Sequence, residues 1–505
     1  MRVFEDPTCV SPPQRHLAAP HVLARPAWLG RLRPSAYHFV DWLVAGGQKL
    51  WQILPLVNIG LGDSPYMSSS AFAGNVLMID LAELHTRGWL SADDLVPEPG
   101  LSDTAVNFCG HGAVPHGAAR TRRAPVRPEC NPARTRRTGG LCAEHTSWLD
   151  NYALFMAISE HHDQRSWTDW APALATRQPA ALAAAAKQHG ERIQFWIFCQ
   201  WCFFRQWARL RAYANQRGVQ IVGDAPIFIA HNSAECWARP ELFELDTAGQ
   251  PTVVAGVPPD AFSATGQRWG NPLYRWSAHA SEGYAWWIER VRRIFELVDI
   301  VRIDHFRGFA GYWEIPASEP TAMNGRWVPG PGPALFKAIA GALGPLPIIA
   351  EDLGVITPDV DALRTEFDFP GMRILQFAWG EQLAAESRFL PHNHTHDSVV
   401  YTGSHDNNTT LGWWADASED ERNHLREYLA CDGRAVNWDL IRAASASVAD
   451  TAVHPMQDVI NLGAEHRMNF PGTAAGNWGW RYTWAMMAPD TADRLRRYGQ
   501  LYGRL

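Results

Sequence analysis

The run LVDIVRIDHF, residues 297–306, decides the fold. It is short and apolar, rich in β-branched residues, and broken only where charge gathers at its end, as in a parallel strand buried on both faces. Alternate residues of an extended chain share a face, so Ile300, Arg302 and Asp304 are expected on one side and Val301, Ile303 and His305 on the other. A guanidinium two residues from a carboxylate is expected to hold it ionised, because a nearby positive charge lowers its pKa. On its own, the pair reads equally well as a structural ion pair.

Runs of the same kind recur on either side: WQILPL (51–56), VQIVGDAPIFI (219–229), LPIIAEDLG (346–354), MRILQFAWG (372–380) and SVVYTGSHDN (398–407). Between them lie stretches with helical apolar spacing, such as YAWWIERVRRIFELV (284–298) and PALFKAIAGAL (333–343). Alternating strand and helix implies an α/β protein with a parallel sheet, either a closed barrel or a doubly wound sheet. Acids stand at the ends of several different runs, where a barrel gathers its chemistry, and no glycine-rich nucleotide fingerprint follows the early strands. The expected fold is therefore a (β/α)8 TIM barrel spanning residues 1–505 as one unit, a length that barrels with insertions reach. Residues 82–215 are too long for a connection and read as a mainly helical insertion subdomain. Residues 231–283, rich in Gly, Pro and aromatics, read as a lid over the cleft.

Two further acids share the setting of Asp304. Glu351 ends the apolar run PLPIIAE on the face of Ile349, and apolar surroundings raise a carboxyl pKa, which suits a proton donor; Asp352 is expected to face the other way. Asp406 lies just beyond VVYTGS with His405 beside it, in a sequence that taken alone is a good turn. Glycosidases that retain anomeric configuration use an ionised nucleophile and a proton-donating carboxyl about 5–5.5 Å apart across the scissile bond.

Composition narrows the partners. With 46% hydrophobic and 19% charged residues and a formal net charge of −7, nothing favours nucleic acid or anionic lipid. Met1–Arg15 has no apolar core of a signal peptide and no run of 18 apolar residues follows, so a cytoplasmic location and no membrane span are expected. The eight cysteines are scattered, and the one C-x-x-C, Cys199 and Cys202, sits in an aromatic stretch that reads as buried helix rather than a redox turn. Many of the 24 tryptophans occur in Gly- and Pro-containing segments; their flat faces suit sugar rings, although core packing explains most of them individually. His392, His394 and His396 alternate as metal ligands can, but in a polar loop, and neither metal nor cofactor is expected.

The chain also resembles the amylomaltases, or 4-α-glucanotransferases, of glycoside hydrolase family 77. The resemblance runs in order through GLGDSPYMSSSAFAGNVLMIDL (60–81), GDAPIFIAHNSAECWARPELFELD (223–246), VAGVPPDAFSATGQRWGNPLYRW (254–276), VRIDHFRGFAGYWEIP (301–316), IIAEDLG, FPGMRILQFAW, YTGSHDNNTT and MNFPGTAAGNWGWR (468–481). It implies a barrel without a C-terminal β-domain, acting on α-1,4-glucans and maltooligosaccharides by double displacement. Asp304 falls on the family's nucleophile, Glu351 on its acid/base and Asp406 on the acid that stabilises the transition state. Arg302 and His405 fall beside them as contacts to nucleophile and substrate, and Asp63, Ser64, Tyr66, Asp224, Trp269, Phe377 and Asn477 fall in motifs that line the donor and acceptor sites. The segment Phe262–Trp269 corresponds to a loop that covers the cleft, and excluding water there favours transfer over hydrolysis.

Two stretches depart from that pattern. APHVLARPAWLGRLRP, within residues 16–35, stands where the family has its first strand, and residues 106–140 crowd seven arginines among Pro and Gly and read as a surface loop rather than a nucleic-acid patch. Both fit a shifted reading frame, which resequencing the gene tests; made as written, they are expected to weaken the barrel. The rival readings are an α-glucan hydrolase with the same three acids and a catalytically silent glucan-binding protein.

Overall fold

The computed structural model describes Leu32 and residues 34–96, 105–106, 140, 144–259, 263–380, 385–473 and 475–505. Most of the two unusual stretches, 16–35 and 106–140, lies outside these residues. In chain order the described strands are β1 (Leu50–Gln52), β2 (Gln220–Pro226), β3 (Val253–Val257), β4 (Gln267–Pro272), β5 (Ile300–Asp304) and β6 (Gly311–Pro316), followed by β7 (Arg326–Pro329), β8 (Ile348–Ala350), β9 (Gly371–Ile374), β10 (Ser398–Tyr401) and β11 (Thr451–Val453).

Seven strands build the parallel part. One sheet has the order β1–β2–β5–β8 and another β9–β10–β11, every neighbouring pair parallel. The Ala350 N–H donates to the Pro370 carbonyl at 2.9 Å, tying the end of β8 to the residue before β9. Helices Gly190–Gln216, Ala285–Leu297, Pro333–Leu343, Pro358–Glu366 and Val436–Ala446 precede β2, β5, β8, β9 and β11, the βα alternation read from the sequence. The strands are shorter than the apolar runs: in MRILQFAWG the strand stops at Ile374 and a 3-10 turn takes Leu375–Phe377.

Burial on both faces explains why these runs are apolar throughout. Val222, Ile349, Met372, Ile374, Val399 and Tyr401 cluster on one face, with Ile300 against them. Their chain neighbours Val301, Ile303, Ile348 and Ala350 join the larger cluster with Leu297, Leu335, Phe336 and Ile339 of the covering helices. Arg302 and Asp304 therefore continue the Ile300 side, as alternation requires.

Alongside these two sheets, an antiparallel one has the order β4–β3–β6–β7. Its first two strands fall within 231–283 and its last two beyond, so the aromatic-rich excursion is sewn to a later segment, a pairing the sequence pattern did not reveal. Cys199 and Cys202 stand on the 27-residue helix Gly190–Gln216, and Cys202 is buried. Among the described residues β1 and β11 each pair with a single strand, and a cavity of about 860 Å³ lies between them, lined by Leu50, Gln52, Thr451 and Val453 and reaching Asp224 and His405.

Asp352, itself fully buried, faces away from Glu351, as expected, into a cluster of arginines. It accepts the Met372 N–H at 2.6 Å and lies 3.2 Å from Arg388, 3.5 Å from Arg373 and 3.8 Å from Arg364. The first residue of β9 must be glycine, because a Cβ at Gly371 would lie 2.3 Å from an Asp352 oxygen. Removing the carboxylate leaves buried guanidinium groups without their anion, so Asp352→Ala is expected to lose about 3–5 kcal/mol of stability. Urea unfolding of the variant against wild type measures this, and an unchanged midpoint contradicts it.

Candidate functional site

The site forms where β2, β5 and β8 end side by side. In register, Asp224 lies opposite Arg302 and Ile303 opposite Ala350, and the next step up β5 and β8 sets Asp304 beside Glu351. Adjacent strands are about 4.8 Å apart, so the two acids start from neighbouring backbone positions. Arg302, only 2% exposed, donates through Nη1 to both Asp224 oxygens at 2.7 and 2.9 Å and to Asp304 Oδ1 at 3.0 Å.

His305 breaks the strand alternation expected for it. It takes a left-handed conformation (φ 53°), uncommon for a residue with a side chain, and its N–H donates to Glu351 Oε2 at 2.7 Å. The Leu353 N–H donates to Oε1 at 2.9 Å. Glu351 is thus held by two backbone donors, one from the residue following Asp304. Trp269 of β4 meets the His305 ring edge-on, with centroids 4.8 Å apart, so the antiparallel sheet reaches the site.

Burial lifts Asp304 above the ordinary carboxylate range; Arg302 pulls it back, while Asp224 and Asp406 push it up. The sequence expectation of a net lowering by Arg302 is therefore corrected: desolvation outweighs a guanidinium that is shared with Asp224. Glu351 is lifted further, by burial and then by the charge of Asp304. The pair accordingly separates into an acid that keeps its proton and a carboxylate that ionises first.

Asp406 arrives from the loop after β10. Tyr66 donates to Asp224 Oδ2 at 2.8 Å and lies 3.0 Å from His405 Nε2, which is 3.4 Å from Asp406 Oδ2. Burial and then Asp224 raise the Tyr66 pKa well above its usual value, so the phenol keeps the proton it donates. A continuous polar chain therefore runs Asp304, Arg302, Asp224, Tyr66, His405, Asp406. Three residues that the sequence reading passed over complete it. Asn469 Nδ2 donates to Asp406 Oδ1 at 2.6 Å, Arg467 donates to the Asp406 carbonyl at 2.6 Å, and the Trp478 ring lies 5.4 Å from Tyr66 and 5.8 Å from His405. They lie in or beside MNFPGTAAGNWGWR, where no local pattern sets Asn469 apart from Asn477.

The other expected site residues stand further out. Asp63 and Ser64 form the turn into Tyr66, with Asp63 at φ 59° and Ser64 Oγ accepting the Tyr66 N–H at 3.2 Å. Asn477 accepts the Phe470 N–H at 2.9 Å and donates to Thr473, closing its own loop. Phe377 packs beside Phe389 and on the apolar cluster of the strands. Of the lid, Phe262 lies outside the described residues. The three alternating histidines go to different partners: His392 to Tyr428, His394 to Ser447 and His396 to Asp450. Among the described residues no cluster of three His, Cys, Asp or Glu is placed to hold a metal ion, and no helix is long and apolar enough to cross a membrane.

Parallel strands alternating with helices, with paired carboxyls at adjacent strand ends, define an α/β protein whose site holds a carboxyl pair of the kind glycosidases use. Comparison with known proteins narrows the class. The model of the 4-alpha-glucanotransferase family matches residues 22–487. A 4-alpha-glucanotransferase of Thermus thermophilus is 46% identical over 497 residues, covering 97% of this chain and 98% of the relative. One from Synechocystis is 45% identical over 480 residues, covering 94% and 95%. The structure of the Streptococcus agalactiae amylomaltase in complex with acarbose superposes with a TM-score of 0.88 at 36% identity, over 95% of this chain and 97% of that one. The Corynebacterium glutamicum amylomaltase, at 16% identity, shares the fold with a TM-score of 0.69. The chain belongs to the 4-alpha-glucanotransferase family.

The order of the two carboxyl pKa values fixes the shape of a pH profile. Work that needs Asp304 ionised is lost as pH falls through its raised pKa, and work that needs Glu351 protonated is lost as pH rises through its still higher one. A bell-shaped kcat/KM is expected, with both limbs belonging to the coupled pair. Glu351→Gln is expected to remove the alkaline limb from whatever activity remains; an alkaline limb that survives at the wild-type position contradicts the assignment.

Proposed function

We propose that this 4-α-glucanotransferase moves α-1,4-glucan segments to the 4-OH of glucose or another glucan by retaining double displacement. Asp304 attacks the anomeric carbon while Glu351 gives its proton to the departing glycosidic oxygen, and a glycosyl ester forms on Asp304. The incoming 4-OH then loses its proton to Glu351 and attacks the same carbon, which frees Asp304 and restores the acid. Asp406, held by Asn469 and near His405, stabilises the positive charge that builds on the sugar ring. The observation that carries this reading is the placing of Asp304 and Glu351 side by side at the ends of adjacent strands, with Glu351 the more strongly lifted of the two.

The remaining assignments belong to the same proposal. Arg302 and Asp224 fix the nucleophile, and Tyr66 and His405 border the ring to be transferred. Trp269 and Phe377 offer apolar surface, while Asp63, Ser64 and Asn477 shape the loops around the glucan. Residues 82–215 form a helical insertion subdomain and 231–283 a lid over the cleft that keeps water from the glycosyl ester. Seven parallel strands in chain order support a single (β/α)8 barrel. Maltooligosaccharides are the expected ligands, and a cytoplasmic location goes with them.

Purified protein fed maltotriose is expected to yield glucose together with longer oligosaccharides. A product mixture holding only maltose and glucose identifies a hydrolase instead. Glu351→Gln is expected to slow transfer by about 10²–10⁴-fold, the usual worth of a positioned acid.

A further inference from the structure

Asp458 is buried, 1% exposed, on the short helical turn Met456–Val459 after β11. Its Oδ2 accepts the Thr402 hydroxyl at 2.6 Å and the Thr410 hydroxyl at 2.8 Å, and its Oδ1 accepts the Thr410 N–H at 2.7 Å. Thr402 is the first residue past β10, and Thr410 opens the helix Thr410–Asp416. One carboxylate therefore grips both ends of the loop 403–409, which carries His405 and Asp406. The backbone of Asp458 is anchored from behind, since Asn437 Nδ2 donates to its main-chain carbonyl at 2.9 Å.

The grip depends on a carboxylate. Two partners, Thr402 and Thr410, point three donors at it, and a buried anion without its donors is costly. Burial raises the Asp458 pKa against the pull of these three hydrogen bonds, and the interactions that hold the charge come from hydroxyls and an N–H rather than from an arginine or lysine. Inside the loop, Asn407 Oδ1 accepts from the Ser404 N–H at 2.8 Å and hydroxyl at 2.9 Å, and the Asn408 carbonyl accepts from Gln376 at 2.9 Å. The loop is thus braced inside by Asn407, held along its length by Gln376, Arg467 and Asn469, and fixed at both ends by Asp458.

We propose that Asp458 is a positioning residue for Asp406: by clamping Thr402 and Thr410 together it fixes the height at which loop 403–409 presents the Asp406 carboxylate to the transferred sugar. This rests on the role given to Asp406 above. A misplacement of about 1 Å at a reacting centre can cost about 10²-fold in rate, so a clamp outside the site has reach enough to matter.

The test is a double-mutant cycle with α-glucosyl fluoride as donor and maltose as acceptor. Asp458→Asn is expected to lower kcat by about 10²-fold with KM little changed. In an Asp406→Asn background it is expected to cost almost nothing more, because the group it positions is already gone. Thr402→Val carries the same test should Asp458→Asn fail to fold; it is expected to lower kcat in the same sense, with Thr402→Ser restoring it. Losses that simply add in the double variant, or clamp variants that keep wild-type kcat while Asp406→Asn loses it, overturn the clamp alone. An Asp406→Asn variant with wild-type kcat overturns the role of Asp406, and the clamp with it.

Discussion

Everything at the site depends on where one buried positive charge goes. Arg302 is almost wholly removed from water and divides itself between Asp224 and Asp304. Here the buried guanidinium has carboxylates as its partners, and the carboxylates have the guanidinium, so removing either leaves an uncompensated charge. This mutual requirement locks β2 to β5 at the level of the site, and it fixes the oxygen of Asp304 that remains for chemistry. It also explains why Asp304 is not a strongly acidic carboxylate: Arg302 has two clients, and burial takes back more than half an arginine can give. The rest of the polar chain, from Asp224 through Tyr66 and His405 to Asp406, propagates from the same pair.

The placement of Glu351 follows from the backbone rather than from charge. Its carboxylate is fixed by two N–H groups, one of which exists in that direction only because His305 leaves the strand in a left-handed turn. Asp304 and Glu351 are therefore set by the same turn, and their pKa values are pushed apart by unequal surroundings: a guanidinium on one side, apolar strand residues and a neighbouring carboxylate on the other. In the mechanism proposed above, that inequality lets the two acids do opposite jobs.

Much of this was legible in the residues. Parallel strands buried on both faces must be apolar throughout, so LVDIVRIDHF and PLPIIAEDLG stand out, and the charged residues at their ends are conspicuous for the same reason. Alternation correctly separated Glu351 from Asp352 and set Arg302 with Asp304. What stayed hidden depends on contacts between distant segments. The sheet joining β3 and β4 to β6 and β7 pairs residues distant in sequence, Val253 with Pro316 and Gly256 with Trp313, in segments whose glycines and prolines blur the period of two. Asn469 and Asp458 act on the loop of Asp406 from more than fifty residues away, and neither looks unusual in its own neighbourhood. The net pKa of Asp304 could not be read either, since the sequence shows the guanidinium nearby but not the second carboxylate that shares it.

The central claim is that Asp304 becomes the covalent carrier of the sugar. Rapid acid quench of the enzyme with a slow-turnover fluorinated α-glucosyl fluoride, followed by peptide mass mapping, tests it most directly. The account predicts one added glycosyl group, on the peptide bearing Asp304, and its absence in Asp304→Asn. A label on Asp406, on Glu351 or on any peptide from outside the ends of β5 and β8, or an unlabelled protein that still turns the compound over, would contradict it.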